Sequence, residues 1–148
     1  ANMNFIKINE EELDKENFQP LTVIFTLIKF ECKYLLIKNI ESLFWELPVI
    51  QKLENETTSE ASIRMCKGLL NLDEIDTIFG GLAKIIFEKR DSEEYFAIYL
   101  YNANVSIFNK FNNSDKNMKW YSKESELKPI CATSRQIIEF IESSQLGS

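Results

Sequence analysis

The chain has 148 residues, 45% of them hydrophobic, which is enough for one real core and too little to expect a second domain. Its 23 acids against 17 bases give a formal charge of −6, a field that repels phosphate backbones and anionic lipid, so neither nucleic acid nor a membrane is expected as a partner. The absence of histidine excludes His-based triads, imidazole general bases and every histidine metal ligand.

In chain order, residues 1–16 are polar and acidic and read as an N-terminal extension, a lead-in or short helix anchored only by Phe5 and Ile8. Residues 17–146 are expected to form one domain, and Ala1 and Gly147-Ser148 read as vector-derived. After Pro20, Leu21 to Phe30 is rich in β-branched and aromatic residues and predicts a strand. Lys33 to Lys38 follows closely and completes a hairpin. Ser42 to Leu47 predicts a short strand that Pro48 ends, because proline lacks a backbone donor and confines Leu47 to extended geometry.

Residues 49–56 read as a loop with acids at its far end. Thr57 and Glu60 have the spacing of a capping box, so a helix is expected near 57–70, its apolar stripe formed by Ala61, Ile63, Met65, Cys66, Leu69 and Leu70. Glu60 and Arg64 form an i,i+4 acid-base pair worth ~0.3 kcal/mol. In a helix interior Gly68 would cost about 1 kcal/mol relative to alanine, so it is expected at a fraying last turn or at a close packing contact.

After Gly80-Gly81, strands are predicted over Leu82 to Lys89 and Tyr95 to Tyr101, joined by a polar turn at 90–94. Phe108 to Asn117 reads as an exposed loop, Lys119-Trp120-Tyr121 as a short extended piece, and residues 134–143 as a closing helix that Ser134 caps. The three cysteines, Cys32, Cys66 and Cys131, are widely spaced and odd in number. They read as buried thiols in a reducing compartment, and a cytoplasmic location is expected. No apolar run approaches the about 20 residues that a membrane span needs.

This order of elements resembles the Nudix (MutT-like) hydrolase family, and two motifs carry the likeness. Trp45-Glu46-Leu47-Pro48 resembles the W-x-L-P that precedes the family's signature loop, and Glu56 to Arg64 (ETTSEASIR) resembles its G-E-T-x-x-E-A-x-x-R passage. Met118 to Ser122 resembles the short strand before the family's last helix. The likeness spans Leu21 to Ile141. It implies an α+β fold, an α/β/α sandwich with a mixed β-sheet, the capped helix near 57–70 and a C-terminal helix near 134–143.

The family's signature is a glycine, five residues, a glutamate, seven residues, Arg-Glu, an aliphatic, any residue, Glu-Glu, any residue and a glycine. Aligned through Glu56 to Arg64, its first glycine falls on Ile50, the neighbouring glycine on Val49, the glutamate after arginine on Met65, the Glu-Glu pair on Gly68 and Leu69, and the last glycine on Asn71. Of the named polar positions only Glu56 and Arg64 remain, so the chain resembles a degenerate member. In the family those glutamates hold magnesium or manganese against a diphosphate; a thioether, a hydrogen and an isobutyl group are not ligands for a hard cation. Val49 and Ile50 resist the tight turn that glycines allow, so the loop is expected to take another path.

No cofactor is therefore expected, and no catalytic or metal-binding residue is assigned. Glu56 reads either as an inherited metal ligand or, just before a helix start, as a structural carboxylate that Arg64 brackets. Arg64 reads as a bracket for Glu56 or Glu60. Candidate ligand-cleft residues are Phe44, Trp45, Glu54, Glu60 and Trp120, with Phe79 and Tyr121 as further aromatics able to stack on a ring, although most of these aromatics read as core, and with Lys52 or Lys84 able to offset the acidic field. The expected role is binding of a nucleotide-like small molecule or a protein, with a homodimer as a further possibility. The alternative is an atypical Mg- or Mn-dependent hydrolase of a nucleoside-diphosphate-linked substrate, using Glu56 and acids relocated among Glu54, Glu60, Asp73, Glu74, Asp76, Glu93 and Glu94.

Overall fold

A computed structural model describes residues 2–14, 18–112 and 116–146. The chain divides into two compact units, the first built from residues up to Thr26 together with Val49–Leu100, the second from Leu27–Pro48 together with residues from Tyr101 onward. Residues 1 and 147–148, read as vector-derived, lie outside the described residues, as do 15–17, where the N-terminal extension was expected to end.

In the first unit, strand β1 (Asn2–Ile6) pairs antiparallel with β6 (Ile78–Phe87), from Asn2 opposite Ile86 to Ile6 opposite Leu82. The lead-in expected from sequence is thus a strand followed by a 3-10 turn over Glu10–Asp14. Alternation is weak in Asn-Met-Asn-Phe-Ile, and it is the open backbone edge of β6 that makes the segment extended. β6 pairs in turn with β7 (Ser92–Asn102), with a register shift between Phe79 and Gly81. Gly81 takes φ 141°, a conformation that L side chains resist, so the Gly80-Gly81 pair marks an irregularity inside the strand rather than its start. The turn joining β6 and β7 sits at Glu88–Arg90 and Asp91, earlier than the 90–94 expected.

The first part of β2 (Leu21–Phe30) belongs to this unit and pairs with β5 (Val49–Gln51), Ile24 lying opposite Ile50. Residues 49–51 were expected in a loop. Their β-branched pair instead suits an extended edge, where backbone groups find the ladder that β2 offers.

Helix α1 (Thr58–Leu70) begins at a complete capping box: Thr57 Oγ1 accepts from the Glu60 N–H at 3.0 Å, and Glu60 Oε1 accepts from the Thr57 N–H at 2.9 Å. It ends at Asn71, left-handed at φ 56°, whose N–H returns to the Lys67 carbonyl. Ala61 and Leu70 of this helix are buried, and Ala61 joins Leu21, Ile24, Leu82, Ala97 and Tyr99 in the unit's core. Each fully buried leucine there contributes about 1.5–3 kcal/mol. The hydroxyls of Thr26 and Ser62, both fully buried, satisfy each other at 2.9 Å.

In the second unit, the rest of β2 turns through Glu31 (φ 54°) into β3 (Lys33–Lys38), which pairs antiparallel with both β4 (Trp45–Glu46) and β8 (Met118–Tyr121). Trp45 also makes a parallel bridge to Ile130. Part of the segment read as an exposed loop is helix α2 (Val105–Phe111): the Asn104 side chain caps it by accepting from the Ile107 N–H at 2.9 Å, and Ile107 and Phe111 are buried one turn apart. Residues 113–115 of that loop lie outside the described residues.

Helix α3 runs from Ala132 to Leu146, longer than expected, with Ile137, Ile138 and Ile141 buried. Ser134 therefore lies inside the helix instead of capping it. Its buried hydroxyl accepts from the Leu47 N–H at 2.9 Å. No helix of the described residues is long and apolar enough to cross a membrane.

Candidate functional site

The loop that enters α1 is organised by one ion pair. Arg64 Nε donates to Glu56 Oε2 at 2.7 Å and Arg64 Nη2 to Glu56 Oε1 at 2.9 Å, a two-pronged contact, while Nη2 also reaches the Gln51 carbonyl at 3.0 Å. Glu56 Oε1 accepts in addition from the Leu53 N–H at 3.0 Å. The arginine hydrogen bond holds the Glu56 carboxyl below the usual carboxylate range, and the same bond raises the Arg64 guanidinium. The Glu56 side chain is only 12% exposed although the pair sits at the surface, because the guanidinium covers it.

The rest of the loop tightens around this pair. Lys52 Nζ donates to the carbonyls of Leu53 at 3.0 Å and Glu56 at 2.8 Å, and the Lys52 N–H reaches the Thr22 carbonyl. The lysine expected to offset the acidic field for a nucleotide is thus engaged by backbone oxygens. Glu60 does not take Arg64: its carboxylate is bound to the Thr57 N–H, and Arg64 reaches eight residues back instead of four. The expected i,i+4 pair is absent from the described interactions for that reason. Glu54 is exposed on the turn.

At the start of α1 lies a cleft of about 570 Å³ lined by Glu10, Glu11, Lys52, Glu56, Thr57 and Thr58, among others. Tyr99 stands behind it, fully buried, its hydroxyl donating to Glu10 Oε2 at 2.6 Å and lying 2.7 Å from Thr58 Oγ1. Glu10 and Tyr99 escaped the sequence reading because they are 89 positions apart, with no local pattern to join them.

The helix positions where the resemblance would put metal-binding glutamates hold no oxygen. Met65 and Leu69 are half-buried thioether and hydrocarbon side chains; Gly68 is exposed, and a Cβ placed on it would meet nothing within 4 Å. Close packing is therefore not the reason for that glycine. No group of three or more Asp, Glu or Cys among the described residues is placed to hold a metal ion. The residues present do not fit a magnesium or manganese centre of the kind the resemblance implies.

The aromatic candidates belong elsewhere. Phe79, in the first unit, meets Tyr99 edge-on at 5.5 Å. Phe44, Trp45, Trp120 and Tyr121 belong to the second unit. Trp45 is core, 6% exposed, its backbone bonded to Pro129 and Cys131. Trp120 is half-buried: its indole N–H donates to the Phe108 carbonyl at 3.1 Å, and Phe108 packs on both Trp120 and Phe30. Phe44 is 42% exposed and lines a groove with Tyr121. Lys84 pairs with Glu93 at 2.9 Å in the first unit.

Of the three thiols expected to be buried, one is. Cys66 is buried, and desolvation pushes its thiol up to about 12, Cys131 is half-buried, and Cys32 is exposed at the tip of the β2–β3 hairpin, where a two-residue turn leaves no core to enter.

No protein-family model and no curated protein matches this sequence. Solved structures do. The chain is similar to a pyrophosphohydrolase of Bacillus subtilis at 15% identity, covering 96% of this chain and 90% of that one with a TM-score of 0.60. It is similar to a mutT/nudix family protein of Listeria innocua at 16% identity, covering 86% and 91% with a TM-score of 0.62. The Ap4A hydrolase of C. elegans matches at 17% identity over 84% of this chain and 96% of that one, with a TM-score of 0.56. At such identities the likeness is one of backbone alone, and it establishes that this α+β chain has a Nudix-like fold.

Proposed function

We propose that this Nudix-like domain binds a ligand without carrying out metal-dependent diphosphate hydrolysis. The observation that carries the reading is the state of Glu56: both of its carboxylate oxygens are engaged by Arg64, and one also by the Leu53 N–H. A divalent ion would have to displace that fork, and Met65, Gly68 and Leu69 offer it no further oxygen. The cleft beside α1 adds to this, since Glu10 and Glu11 repel a polyphosphate while the Lys52 ammonium is held by two carbonyls. The occupant is a small molecule or a protein surface rather than a polyphosphate chain.

The test is turnover of a panel of dinucleoside polyphosphates and nucleoside-diphosphate conjugates with magnesium or manganese added. No metal-stimulated hydrolysis is expected, and no manganese density near Glu56 in soaked crystals. The opposing reading, an atypical hydrolase, draws on Glu56 remaining at the aligned family position and on the hydrolase names of the structural neighbours. Metal-stimulated turnover that Glu56→Gln abolishes would establish it and end the first reading.

A further inference from the structure

The second unit holds a groove of about 440 Å³, lined chiefly by Phe44, Tyr121, Leu127, Lys128, Ile130 and Arg135. We infer that this groove binds a small planar anion, an aromatic carboxylate, with its ring against Phe44 and Tyr121 and its charge met by Lys128 and Arg135. The inference goes beyond the proposed function and stands on the second unit alone.

Charge is the first argument. The chain carries a formal charge of −6, yet the groove has two cations and no acid among its described lining residues. Glu124 and Glu126, the acids nearest in sequence, are not part of the lining. Neither cation is neutralised: among the described residues Lys128 makes no ion pair, and Arg135 makes only a long bond, 3.5 Å, to the Ile130 carbonyl. A guanidinium with free donors matches the two oxygens of a carboxylate and also stacks on planar groups.

Preorganisation is the second. Phe44 is 42% exposed, yet its loop is not slack. The Asn39 side chain accepts from the N–H groups of Glu41 and Ser42, the Leu43 N–H reaches the Asn39 carbonyl at 2.7 Å, the Asn39 N–H reaches the Phe44 carbonyl at 2.8 Å, and the Phe44 N–H reaches Ser42 Oγ. Leu43 takes φ 67°, a left-handed conformation costly for its side chain. A tied loop that holds a ring in water loses little entropy when a ligand covers it. The groove's volume also lies within the roughly 300–1,000 Å³ of small-ligand pockets.

The experiment is a calorimetric and NMR titration of the full chain with three probes that share one ring system: indole-3-acetate, neutral indole-3-acetamide and cationic tryptamine. Indole-3-acetate is expected to bind one to one, about tenfold or more tighter than the amide, with tryptamine weakest. The double variant Lys128→Met/Arg135→Met should lose about tenfold for the acetate, Phe44→Ala should weaken acetate and amide alike, and Lys67→Met, on the first unit, should change nothing. Circular dichroism checks that each variant is folded. Equal binding of acetate and amide, no saturable binding, or an unaffected double variant overturns the inference. So does concentration-dependent self-association that Phe44→Ala abolishes in the absence of probe binding, which would make the groove an interface between copies. None of these readouts depends on Glu56, so hydrolysis assays and groove titrations fail independently.

Discussion

Gly68→Ala isolates the reason a glycine stands inside α1. The residue lies in the last turn of a 13-residue helix, three positions before the Asn71 cap, so it has helical neighbours on both sides. Glycine at an interior helical position is about 0.8–1 kcal/mol worse than alanine, chiefly because the unfolded chain is freer. A Cβ at Gly68 would meet no atom within 4 Å, so nothing in the folded state opposes the gain, and the full increment should appear. For a chain of this size that is a rise in Tm of about 2–4 °C. Thermal and chemical unfolding of the variant, with an unchanged denaturant slope, checks it. A fall in stability would refute the reasoning, because it would mean that the position is crowded or that the backbone there leaves the helical region.

Three further outcomes follow from other parts of the structure. Thr57→Ala removes one half of the capping box and should cost about 1 kcal/mol in equilibrium unfolding, with amide exchange rising first at Ser59 and Glu60. Ser134→Ala strands the buried Leu47 N–H and should cost about 1–3 kcal/mol, whereas Ser134→Thr, if its hydroxyl keeps the same rotamer, should recover part of that loss. Glu56→Gln should destabilise at neutral pH and converge on the parent in acid. The folded pKa of Glu56 lies below its unfolded value, so its contribution is present above the ordinary carboxylate range, about 4.3, and is lost as pH falls through the lowered folded pKa. A stability difference that persisted in strong acid, or grew there, would contradict the role given to Arg64.

Local chemistry and long-range geometry divided the labour unevenly in this chain. The capping box at Thr57 and Glu60, the β2–β3 hairpin and the stop at Pro48 were legible because each is settled by residues within a few positions of one another. The missing carboxylates at Met65, Gly68 and Leu69 were equally plain, since a side chain without oxygen lacks it in any fold. The sequence does not distinguish Glu56 from Glu60 as the acid that Arg64 brackets. The answer came only when the loop closed back on Gln51 and Leu53, bringing a carboxylate eight residues away within 2.7 Å.

Other features were beyond sequence because their causes are distant. Asn2–Ile6 is a strand because β6 offers it an edge, and Val49–Gln51 because β2 does. Ser134 serves Leu47, Tyr99 serves Glu10, and Lys128 and Arg135 share a groove with Phe44, each across more than 80 residues of chain. By itself the sequence determined an acidic, histidine-free chain with a capped central helix that carries no side-chain oxygen at positions 65, 68 and 69. Tertiary structure alone decided which polar groups are already satisfied and which stand free, because hydrogen bonds and desolvation depend on distance in space rather than on separation along the chain.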